Sequence, residues 1–177
     1  MLWYCISSIP HITYMFLYHY GDEIINYVSF KTIVYSCINY RLVLFPYTLF
    51  HLYSSYFHTI NPIAWISPNP FLLLGFMCFA CGTFINYKVY DAIGIDRVYY
   101  GCELNNSTFI RINKFPYNYL NHPMYYACIL MSIGTFLSIG ITSDYTIRIG
   151  VLNDMLYISY LYIFSILIED QPSLALK

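Results

Sequence analysis

Charge is what this sequence has least of. Its 177 residues include eight Lys or Arg and nine Asp or Glu, 10% charged in all, where a soluble domain carries about 25%. That is too little charge to cover the surface of a soluble protein. A disordered segment is excluded from the other side, because it needs low hydrophobicity and high charge, and 59% of these residues are hydrophobic. The net charge of −1 offers no electrostatic basis for binding nucleic acid. Residues 1–20 lack the basic start and small-residue cleavage site of a secretory signal, so they read as part of the mature protein. No metal-ligand cluster is visible. His11, His19, His51 and His58 stand singly on aromatic stretches and read as interfacial or packing residues. Cys78-x-x-Cys81 has no second pair to complete a zinc site. With Cys5, Cys37, Cys102 and Cys128 it reads as small packing residues, not as a disulfide framework. Internal repeats and low-complexity linkers are also missing.

What the chain does have is long apolar and aromatic runs. Its mean hydropathy is only +0.54, but 22 Tyr depress that index while contributing largely apolar rings suited to the membrane–water interface. A spanning helix needs roughly 20 apolar residues. Residues 42–60, 71–89, 125–141 and 149–168 meet that need. Residues 3–20 and 24–40 are apolar too, but Pro10, Asp22, Glu23 and Lys31 interrupt them. They read as interfacial, re-entrant or one additional span. The expected fold is therefore a single all-α integral membrane domain over 1–177, with about four transmembrane helices.

Basic residues orient it. Loop 61–70 has no Lys or Arg, whereas loop 94–121 carries Arg97, Arg111 and Lys114, with Lys88 just before it. Lys31 and Arg41 precede the first span and Lys177 follows the last. The positive-inside bias then puts loop 94–121 and the C-terminus in the cytosol. On that same side gather the polar residues of three segments: Lys88 and Asp91, Asn121 and His122, and Glu169 and Asp170, beside Gly82, Gly94 and Gly101. A solvated helix end would account for the two acids alone. The convergence of three segments is what points to a site.

Residues 115–128 read Phe-Pro-Tyr-Asn-Tyr-Leu-Asn-His-Pro-Met-Tyr-Tyr-Ala-Cys. This resembles the signature of the small phospholipid N-methyltransferases, which methylate the amine of phosphatidylethanolamine with S-adenosylmethionine. Ala80-Cys81-Gly82 stands at that family's Gly-x-Gly, Gly94 at a later glycine, Tyr99-Tyr100-Gly101 at an aromatic turn, and Glu169-Asp170 at its paired acids. The likeness covers roughly residues 70–172. It departs at Ala80 and Ala127, which replace glycines, at Asp170, which replaces Glu, and in a short C-terminal segment.

The resemblance implies a cofactor, S-adenosylmethionine, and a phospholipid substrate in the bilayer of the endoplasmic reticulum. Glu169 and Asp170 would accept hydrogen bonds from the donor's ammonium and ribose hydroxyls. Residues 80–82 would let it approach the helix backbone, unless Gly82 serves helix packing instead. The headgroup amine must lose a proton before it attacks, and His122, Glu103 and Glu169 are the possible bases, although His122 could equally orient its loop or bind lipid phosphate. Tyr99, Tyr100, Tyr117 and Tyr125 offer aromatic faces to a methylated ammonium. Arg97 and Arg111 could hold the lipid phosphate, while Lys114 reads as a topology signal. Two rivals remain open: an isoprenylcysteine carboxyl methyltransferase-like enzyme, and a polytopic membrane protein without catalysis.

Overall fold

The computed structural model describes residues 2–55, 69–98, 112–141 and 144–170. Among these there is no strand. Five α-helices follow in order: α1 (Leu2–Ile24), α2 (Phe30–Ser55), α3 (Pro70–Val98), α4 (Pro123–Thr135), which continues as a π-helical turn (Phe136–Gly140), and α5 (Tyr145–Glu169). Local chemistry sets their ends. Ser29 caps α2, its hydroxyl accepting the Thr32 N–H at 3.3 Å. Asn69 caps α3 by accepting the Phe71 N–H at 2.9 Å, with Pro70 at the first helical position, where its missing N–H costs nothing.

Three stretches are long and apolar enough to cross a membrane: Pro70–Ile95, Pro123–Gly140 and Tyr145–Glu169. They contain or closely overlap three of the four spans expected from the sequence. The protein is an integral membrane protein on this evidence. Its described surface agrees, because large apolar side chains such as Phe71, Leu73, Leu74, Phe76 and Phe79 on α3 and Leu156, Ile163, Phe164 and Leu167 on α5 are exposed. Such a surface suits lipid. The remaining expected span, 42–60, begins within α2, and its residues 56–60 lie outside the described region.

The chain divides into two compact units. One comprises Met1–Leu49 and Lys88–Asn121, the other Phe50–Tyr87 and His122–Lys177. In the first, Tyr14 and Leu17 of α1 form a small core with Ile33 and Cys37 of α2. Pro10 does not interrupt α1 as the sequence suggests; the helix runs through it. A mid-helix proline leaves the carbonyl four residues earlier without its N–H. That carbonyl belongs to Ile6, and the Tyr40 hydroxyl of α2 donates to it at 2.6 Å. A cross-helix bond thus replaces the one that proline removed. The break near the end of α3 comes instead at Gly94, whose φ of 78° and ψ of 164° are a conformation open essentially to glycine alone.

In the second unit α3 meets α4 at glycines. A Cβ on Gly75 would collide with Ser138 Oγ and lie 2.7 Å from the Gly134 carbonyl oxygen; one on Gly82 would lie 2.7 Å from the Ala127 carbonyl oxygen. As the α3 residue number rises, that of its α4 partner falls, so the two helices run antiparallel. The helix α5 returns beside α4, with Ile147 and Val151 packed on Ile139 and Phe136 of the π-helical turn. Arg148 closes that turn by donating to the carbonyls of Gly140 and Ile141 at 3.4 and 3.2 Å. The result sets the start of α4 next to the end of α5.

Candidate active site

His122 is the residue before α4, with φ −123° and ψ 60°, and Pro123 opens the helix. A residue before proline is steered away from helical dihedrals, so the His-Pro step ends the preceding segment there. Glu169 is the last residue of α5 and Asp170 caps it. Because α4 begins where α5 ends, these residues meet. His122 Nδ1 lies 2.7 Å from Glu169 Oε2, and its Nε2 lies 2.9 Å from Asp170 Oδ1. The Tyr125 hydroxyl, one turn into α4, donates to Glu169 Oε1 at 2.6 Å. The Tyr125 ring lies parallel to the imidazole, centroids 6.0 Å apart, and tilts against Tyr162 of α5 at 5.8 Å.

An ionised carboxylate only accepts hydrogen bonds. The two contacts suit the imidazolium form of His122, in which both ring nitrogens donate. The bond to Glu169, assisted by that to Asp170 and opposed by burial, raises its pKa to about 8. One cation between two anions leaves the cluster with one net negative charge. The His122 side chain is 14% exposed, whereas that of Asp170 is 61% exposed, so the acidic edge of the cluster faces outward.

The other expected site residues are placed differently. Gly82 is buried against α4, and its close contact is with the Ala127 backbone and Met131. The helix-packing alternative is what this geometry displays there, while Ala80 and Cys81 are exposed. Tyr117 and Arg97 belong to the first unit, both partly buried. In that unit Lys114 donates to the carboxylate and carbonyl of Asp91 at 3.2 and 3.3 Å, and Lys88 lies 3.7 Å from the same carboxylate. Tyr99, Tyr100, Glu103 and Arg111 lie outside the described residues.

Sequence reading missed two things. Tyr162 lies seven residues, two helical turns, before Glu169, and that spacing could have placed it beside the site. His51 is not isolated, because its Nε2 lies 3.3 Å from Asp154 Oδ2. Asp154 is the one acid in the middle of the last apolar run, and it was a signal in plain view. Among the described residues no group of His, Cys, Asp and Glu could hold a metal ion.

A histidine between paired acids thus stands where the start of one apolar helix meets the end of another. The chain belongs to the phospholipid methyltransferase family, whose model matches residues 70–171, more than half of its length and all of this cluster. No curated protein and no solved structure matches it.

Proposed function

We propose that this protein uses S-adenosylmethionine to N-methylate the headgroup of phosphatidylethanolamine, or of its mono- and dimethyl forms, towards phosphatidylcholine. The observation that carries this reading is the net-negative cluster of His122, Glu169 and Asp170. The donor combines an ammonium, a sulfonium and a carboxylate, and is net positive. Carboxylates at the outer edge of the cluster suit its ammonium and ribose hydroxyls, and the residues present fit it at this end. Ala80 and Cys81 are further candidate contacts, with Gly82 serving to bring α3 and α4 together.

When bound, the donor supplies an electrophilic methyl group, and the protein's task is to position an amine in line with it. His122 holds both acids in place and keeps its protons while doing so. In that state it has no lone pair with which to act as the base. The headgroup proton must then leave by another route, and Glu169 and Glu103 are the acids proposed for it. Tyr125 and Tyr162 offer aromatic faces that favour a methylated ammonium. Arg97 and Arg111 are proposed for the lipid phosphate, and Tyr99, Tyr100 and Tyr117 for the headgroup. The basic bias of loop 94–121 favours a cytosolic site and C-terminus in an internal membrane such as the endoplasmic reticulum.

The test is to supply membranes containing the protein with donor labelled in its methyl group and to identify the product. Label should enter amine headgroups, and the Glu169→Gln, Asp170→Asn double variant should insert normally yet bind the donor at least tenfold more weakly, since each lost charge-assisted bond is worth about 1.5–3 kcal/mol. Label found only as a carboxyl methyl ester on prenylated cysteine would overturn the substrate. Donor binding unchanged in the double variant would leave the acids a solvated helix end.

A further inference from the structure

The side-chain carbonyl oxygen of Asn86 is buried and has no hydrogen-bond partner among the described residues. Asn86 lies within the apolar stretch Pro70–Ile95 of α3. A buried acceptor left alone costs about 1–3 kcal/mol, and native proteins hold few of them. Its position makes this informative. The buried residues of that stretch are Gly75, Gly82 and Val89, spaced by seven and so on one stripe of the helix. Asn86 stands four residues after Gly82 and three before Val89, on the same stripe.

Gly82 abuts Ala127. The two helices are antiparallel, so one turn onward along α3 corresponds to one turn back along α4. One turn back from Ala127 is Pro123, next to His122. Asn86 therefore sits at the level of the His122, Tyr125 and Glu169 cluster, about 6 Å along the helix from Gly82.

We propose that Asn86 is a ligand-binding residue of this site, its side-chain carbonyl accepting an N–H from the methyl donor or from the lipid's amine headgroup. The proposal rests on the functional reading above. Both ligands carry N–H groups, and a carbonyl oxygen is a suitable partner for either. The fully methylated product, by contrast, has no N–H and would leave Asn86 unpartnered again.

The experiment compares wild type with Asn86→Leu, Asn86→Ala and Asn86→Asp, reading melting temperature, the Kd for S-adenosylmethionine and the KM for phosphatidylethanolamine. Removing an orphan acceptor should leave the melting temperature of Asn86→Leu equal or higher, while one affinity falls about tenfold or more. Asn86→Asp, which keeps an acceptor oxygen, should restore that affinity. A rise in Kd with KM unchanged assigns the N–H to the donor; a rise in KM with Kd unchanged assigns it to the headgroup. A lower melting temperature in both Leu and Ala variants, with both affinities of the folded protein intact, overturns the proposal and leaves Asn86 structural. So do three variants indistinguishable from wild type. A wild-type protein that binds neither ligand sinks the functional reading itself, which is a separate outcome.

Discussion

His122 holds its proton more tightly because of what its two nitrogens face, and that makes the site sensitive to pH. Its pKa is raised from the ordinary 6.5 to about 8, first by the bond to Glu169 and then by that to Asp170. A group whose folded pKa is raised stabilises fully below its unfolded value and loses that contribution as pH climbs through the folded one. Stability should therefore be highest below about 6.5 and should decline through about 8. Melting temperatures of the detergent-solubilised protein at a series of pH values would check this, with His122→Gln as the control. The variant should melt lower at pH 6 and show a flatter profile across that window. If its profile matches that of the wild type, the cluster does not carry the titration. The sequence showed which residue types would gather here, because His-Pro and Glu-Asp both fall at span ends. It could not show that one imidazole would use both nitrogens on the two acids. That follows from the helix register, and it favours the protonated form of His122.

At the scale of the elements, the packing of α3 on α4 depends on missing side chains. A Cβ at Gly82 would lie 2.7 Å from both the Ala127 carbonyl oxygen and Met131 Cγ; one at Gly134 would lie 2.7 Å from the Gly75 carbonyl oxygen and the Phe79 backbone nitrogen. Backbone atoms cannot rotate away, so the helices must separate. Gly82→Ala and Gly134→Ala should each lower stability by about 1–3 kcal/mol, the usual cost of overpacking, and Gly82→Leu by more. Specific activity per folded molecule decides what else Gly82 does. Loss of activity in step with loss of folded protein marks a packing glycine, whereas an inactive but folded Gly82→Ala would restore a donor contact there. The sequence made both roles visible, since small residues serve close approach of either kind. The register between the helices, which selects Ala127 as the neighbour, is set by many side chains together. Periodicity within one helix does not contain it. Pro10 is a similar case, because its effect on α1 depends on Tyr40, 30 residues away in the chain.

Across the whole molecule, the second unit holds two polar clusters, and they lie at different depths. The site residues are at the helix ends, but Asp154 is the tenth of the 25 residues of α5, about 22 Å along the helix from Glu169. It is 8% exposed and is joined to His51 of α2. An acid inside a spanning helix is expensive and is expected to face a polar partner. This one is joined to residue 51, in the last turns of α2, within the second unit. Residue 51 falls in the expected span 42–60. The physical test is a double-mutant cycle. His51→Leu should strip a hydrogen-bond partner from a buried acid and cost about 1–3 kcal/mol, the range for a buried polar group that loses its partner. Adding Asp154→Leu should recover much of that loss, because the acid that His51 served is then gone. The two effects should fall short of additivity by more than about 0.5 kcal/mol. Additive effects, or a double variant less stable than His51→Leu, would show that the two side chains are not coupled.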